Sequence, residues 1–163
     1  MRRPPLLLVL VLALLTTISA CGGAAPEPPR VTFSVGAQSV TARPTQYCNI
    51  EFTACRNDAA APVALPVPPG TAVRITVAPE IAATPWLIVF TMVAADGTRT
   101  DGRTGLFSPP STQRSDYELA LPAATDRLLT AQVQQLGAPP QANGQGDGID
   151  FPVRGSWVLT TTG

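Results

Sequence analysis

From Arg30 onward, apolar residues recur at every second position in short runs separated by Pro, Gly, Asp or Asn. That period belongs to strands with one face buried, because successive side chains of an extended chain point to opposite sides. Val31, Phe33 and Val35 oppose Thr32 and Ser34; past Gly36-Ala37 the alternation resumes with Val40 and Ala42 against Thr41 and Arg43. Thr71 to Ala78 sets Val73, Ile75 and Val77 against Arg74 and Thr76, after the turn Pro68-Pro69-Gly70. Tyr117, Leu119 and Leu121 alternate with Asp116, Glu118 and Ala120. Trp157 and Leu159 alternate with Val158 and Thr160, after Ile149, Phe151 and Val153.

Trp86 to Ala94 is apolar on both faces, with Trp86, Ile88, Phe90 and Met92 on one and Leu87, Val89 and Val93 on the other. Such a strand is expected at the centre of a sheet, with Pro85 at its start where a missing donor does least harm. After Ala95-Asp96-Gly97, Thr98 to Ser108 returns as a more polar partner ending in Leu106 and Phe107. Asp126 to Gly137 reads two ways. Leu129, Val133 and Leu136 have helical spacing, with Thr125 placed to cap and Gly137 to terminate, whereas Leu129, Ala131 and Val133 alternate with Thr130, Gln132 and Gln134. The neighbouring strands favour a strand here as well. The expectation is an all-β fold, an immunoglobulin-like two-sheet β-sandwich of about seven to eight strands.

The first residues obey another rule. Met1-Arg2-Arg3 is cationic, and Leu6 to Leu15 is an unbroken apolar run. As a helix that run spans about 15 Å, too short for a hydrocarbon core of about 30 Å, and its layout is that of a signal peptide. Ile18-Ser19-Ala20-Cys21 then resembles the lipobox of bacterial lipoproteins. The resemblance implies a signal peptide over residues 1–20, removed before a Cys21 that carries diacylglycerol. Two acyl chains hold a protein stably on a membrane where one does not. The alternative is an ordinary small-residue cleavage site beside a free Cys21 thiol. Export by the Sec route is expected, since Arg2-Arg3 lacks the rest of a twin-arginine pattern. Residues 21–29, rich in Gly and Pro, read as a lipidated Cys and tether, and residues 30–163 as the β-sandwich domain.

Composition narrows the chemistry. The chain of 163 residues has no His and no Lys, and its 11 Arg balance 11 acidic residues. Without His, neither Ser-His-Asp and Cys-His catalysis nor the usual zinc sites can be built. Zero net charge gives no nucleic-acid footprint. With residues 1–20 removed, two Arg leave with them and the mature chain is slightly acidic, so overall charge supplies no steering toward polyanions. If Cys21 is acylated, Cys48 and Cys55 remain and are expected to pair outside the cytoplasm. Free thiols are the alternative; a redox or metal pair fits less well, because the spacing is not Cys-x-x-Cys.

The remaining candidates read as structure. Asn143 to Asp150 holds three glycines and two acids, but the position an EF-hand gives to its bidentate Glu is Arg154, so it reads as a turn and no metal is expected. Nor does a Lys-Ser or Lys-Thr follow to make a phosphate loop. Asp116 and Glu118 share the polar face of a strand, and Asp96 and Asp101 flank turns, so solvated surface outweighs acid/base catalysis. Trp86 and Trp157 are expected in the core, with ligand stacking as the lesser reading. Arg154-Gly155-Ser156-Trp157 places a guanidinium near an aromatic face.

The lipobox at Cys21, the Cys48 and Cys55 pair, Leu65-Pro66-Val67-Pro68-Pro69-Gly70, Pro85-Trp86 with Val89-Phe90, Ala131-Gln132-Val133-Gln134-Gln135 and Arg154-Gly155-Ser156-Trp157 together resemble small actinobacterial cell-envelope lipoproteins, and the chain is similar to domain of unknown function 2771. The resemblance implies a lipoprotein on the extracytoplasmic face of the cell membrane and supplies no catalytic residue. The expected function is a non-enzymatic binding or protein-interaction module of the envelope, needing no cofactor. Its partners would be the membrane, through Cys21, and an envelope protein or lipidic ligand, and no nucleic acid. The alternative is a carrier for a small or lipidic ligand, held in a pocket between the sheets near Trp86.

Overall fold

A computed structural model describes residues 27–137, 141–142 and 149–162. Cys21, the signal segment and most of Asn143–Asp150 lie outside them. Among the described residues no helix is long and apolar enough to cross a membrane.

The eight expected strands are all present: β1 (Val31–Val35), β2 (Gln38–Ala42), β6 (Val73–Val77), β7 (Trp86–Val93), β8 (Arg99–Arg103), β9 (Asp116–Leu119), β10 (Arg127–Leu136) and β13 (Val153–Thr162). Five short ones join them: β3 (Gln46–Cys48), β4 (Cys55–Asn57), β5 (Val63–Pro66), β11 (Gln141–Ala142) and β12 (Ile149–Asp150). One sheet runs β2-β1-β6-β9. The other runs β4-β3-β13-β10-β7-β8, with β5 also on β13. Leaving out β2 and the added strands, the orders β1-β6-β9 and β13-β10-β7-β8 are the A-B-E and G-F-C-C′ orders of an immunoglobulin sandwich.

The two sheets bury the faces that the alternation assigned. Val31, Phe33, Val73, Ile75 and Leu119 line the smaller sheet, and Ile88, Val133, Trp157 and Leu159 face them from the larger one. Ile88, Val133 and Trp157 lie in register across β7, β10 and β13, so a single row of side chains spans three strands. Between β6 and β7 a four-residue helix, α1 (Pro79–Ala82), begins on a proline and buries Ile81. A proline at a helix start is no loss, because that amide has no helical partner.

β10 explains its own ambiguity. Its pairing slips between Leu128 and Thr130 and again between Gln135 and Leu136. Each slip changes which parity faces inward. Leu128 and Leu136 are buried beside Ala131, Val133 and Gln135, and a period of two broken at both ends imitates helical spacing.

Candidate functional site

The positions that sequence reasoning proposed for ligand stacking are filled. Trp86 and Trp157 are both fully buried. The Phe107 ring lies 4.5 Å from that of Trp86, and the side chain of Gln135 occupies the neighbouring register position. Gln135 Nε2 donates to the Glu80 carbonyl at 3.3 Å and to Thr84 Oγ1 at 2.9 Å, tying α1 to the sheet. Trp86 Nε1 and Gln135 Oε1 are both buried and have no hydrogen-bond partner among the described residues.

An opening lies at the sandwich's edge, where β3 and β4 extend the larger sheet. Three residues per strand are too few to be stable alone, and this hairpin is held from both sides. Cys48 and Cys55 face each other across it and form a disulfide, which for a loop of this length contributes about 2.5 kcal/mol in the chain-entropy account. Inside the loop, Asn49 Oδ1 accepts the Ala54 amide at 3.0 Å and Nδ2 donates to Glu51 Oε2 and Thr53 Oγ1 at 2.9 Å. On the other side, Thr45 Oγ1 lies 2.7 Å from Ser156 Oγ, Gln46 Nε2 donates to the Val153 carbonyl at 3.2 Å, and Arg154 Nε donates to the Cys48 carbonyl at 3.1 Å.

Tyr47 forms the half-buried floor. Its ring meets Trp157 edge-on at 6.2 Å, and the Arg154 guanidinium lies 5.1 Å over it. The aromatic partner of Arg154 is thus Tyr47 of the neighbouring strand. Trp157 comes three positions later in sequence, but its ring is buried inward, and only the strand pairing reveals Tyr47. Gly155 lies between them, where a Cβ would sit 2.7 Å from Trp157 Cη2 and 2.9 Å from Tyr47 Cδ2. Glycine is what lets these two rings approach.

Around that floor is a concavity of about 440 Å³ bounded by Glu27, Pro28, Arg30, Arg43, Pro44, Arg56 and Asp58. Its three arginines come from three segments: the chain entering β1, the β2–β3 connection and β4. Arg30 pairs with Glu27 at 3.0 Å and Arg43 with Asp58 at 3.3 Å, and both pairs are solvent-exposed and therefore weak. Arg56 has no carboxylate partner among the described residues. The entering chain is fastened here too, since Trp157 Nε1 donates to the Pro29 carbonyl at 2.9 Å. Pro28 and Pro29, read as the end of the tether, are half-buried against the domain.

The carboxylates considered for catalysis are dispersed. Asp116 and Glu118 are exposed on β9, as their face of the strand requires. Asp101 lies on β8 and accepts a 2.6 Å hydrogen bond from Thr91 Oγ1. Asp96 accepts the Thr98 amide at 2.8 Å in the β7–β8 turn, and that bond holds its carboxyl below the usual carboxylate range. Among the described residues no group of three or more His, Cys, Asp or Glu could hold a metal ion.

No curated protein and no solved structure matches the chain. A family model described as "Protein of unknown function (DUF2771)" does match, over residues 24–162, nearly the whole of the sandwich and the stretch leading into it, and the chain belongs to that family.

Proposed function

We propose that the protein is a non-enzymatic, lipid-anchored binding module on the extracytoplasmic face of the cell membrane, with the opening over Tyr47 as its binding site. The observation that carries this reading is the position of the opening at the root of the tether. Six residue steps separate Cys21 from Glu27, so a lipid on Cys21 lies within about 20 Å of the opening's rim at full extension of the chain. An anchored module is expected to present its site close to the membrane, where envelope partners are concentrated. The volume also falls within the range of about 300–1,000 Å³ usual for ligand sites.

The carrier reading receives less support. Its ligand was expected beside Trp86, and that position is taken by Phe107 and Gln135.

Two measurements test the proposal. A Cys21→Ala protein should move from the membrane to the soluble fraction; retention on the membrane would overturn the anchor. A photocrosslinking residue at Asn57, on the rim, should capture an envelope component that the same residue at Glu118, on the opposite sheet, does not. Equal capture at both positions, or capture at neither, would overturn the assignment of the site.

A further inference from the structure

We infer that the opening binds a phosphate group, an inference that rests on reading the opening as a binding site. The sequence spreads Arg30, Arg43 and Arg56 over three segments, and the fold collects them around one concavity. Counting Glu27 and Asp58, which line the same concavity, leaves a local excess of one positive charge, whereas the chain from Cys21 onward is slightly acidic. Overall charge therefore conceals a basic site.

The chemistry of the donors selects the ligand. A guanidinium presents five N–H donors in a planar fork, and in each of the two ion pairs a single terminal nitrogen makes the contact. Among the described residues no other side chain pairs with the remaining donors of Arg30 and Arg43 or with any of Arg56, which leaves them for a ligand. A carboxylate has two oxygens and is matched by one such fork. A phosphate monoester has three terminal oxygens and close to two charges, and can engage forks from different directions at once. Tyr47, Pro28 and Pro44 add apolar wall for the organic group that bears the phosphate. The monoester headgroup of phosphatidic acid and a soluble phosphate monoester share this chemistry. Because the arginines are exposed, binding should weaken as ionic strength rises.

The test uses the full-length protein and follows the arginine Nε–H signals by NMR. In micelles of neutral detergent, inorganic phosphate and glycerol 3-phosphate are titrated beside succinate. In a second arm the protein sits in phosphatidylcholine nanodiscs with or without phosphatidic acid. The expected result is saturable shifts at Arg30, Arg43 and Arg56 with a phosphate probe, and affinity about tenfold or more lower in Arg56→Ala, as for loss of one charge-assisted contact. Arg56→Lys, which keeps the charge and loses the fork, should fall between the two. Thermal unfolding of each variant verifies that the fold is retained. Shifts confined to the phosphatidic acid discs identify a headgroup as the source, and shifts confined to the soluble probes identify a free ester; either supports the inference. Succinate binding as tightly as phosphate would overturn it while leaving the opening a binding site. Absence of saturable binding by every probe would overturn it too, and crosslinking at Asn57 would then decide separately whether the opening binds anything else.

Discussion

Trp157, Tyr47 and Arg56 lie on three neighbouring strands of one sheet, β13, β3 and β4, yet they meet three different environments. Trp157 is fully buried, Tyr47 is half-buried and Arg56 is exposed. On β13 the smaller sheet covers the inner face completely. On β3 and β4 that cover has run out, because β2 is the last strand of the smaller sheet. The core and the opening are thus successive positions on one surface, and the larger sheet's extra width creates the opening. Stability is concentrated at one end of this gradient and accessible charge at the other.

The largest test of that contrast is truncation at each end. Trp157→Ala should lower unfolding stability by about 3–5 kcal/mol, as for other buried aromatic truncations, whereas exposed Arg56→Ala should change it by no more than about 0.5 kcal/mol. Chemical denaturation of the two variants checks this, and comparable losses would break the contrast. An intermediate effect belongs to the hairpin that joins the two ends. Replacing Cys48 and Cys55 together by Ala should cost about 2.5 kcal/mol, while the tryptophan emission of the folded protein stays that of a buried indole. A shift to solvent-exposed emission under native conditions would show that the core depends on the hairpin. The smallest effect lies in a turn outside both regions. Folding lowers the pKa of Asp96, mainly through its hydrogen bond from the Thr98 amide, so the folded state favours the carboxylate. Its contribution is complete above the unfolded carboxylate pKa and is lost as pH falls through the lower, folded value. NMR titration should place the Asp96 midpoint below the usual range, and Asp96→Asn should abolish this part of the acid dependence.

Seven of the sandwich strands were legible because each carries enough residues to show a period of two, and β8 because the turn at Ala95-Asp96-Gly97 returns the chain beside β7. β3 and β4 have three residues each, too few for alternation to rise above chance, and in β5 the outward positions are Ala64 and Pro66, which give no polar contrast to Val63 and Leu65. The cysteine pairing was legible because, with Cys21 expected to carry a lipid, Cys48 and Cys55 were left with one connectivity, and the two do form a disulfide. Both tryptophans were placed correctly in the core. The partner of Arg154 was not, because Tyr47 becomes its neighbour only through the pairing of β3 with β13. The arginine-lined opening was hidden for the same reason: Arg30, Arg43 and Arg56 share no motif, and a net charge averages over the surface that the fold divides.

The hydrogen bond from Trp157 to the Pro29 carbonyl also has a mechanical meaning. Tension applied through the anchor proposed at Cys21 reaches the domain at this clamp before it reaches β1. Beyond the clamp, β1 is hydrogen-bonded along both edges, to β2 and β6, so a pull along its axis loads two ladders in shear instead of peeling them bond by bond. An anchor at Cys21 would thus pull on the chain where it resists being drawn out.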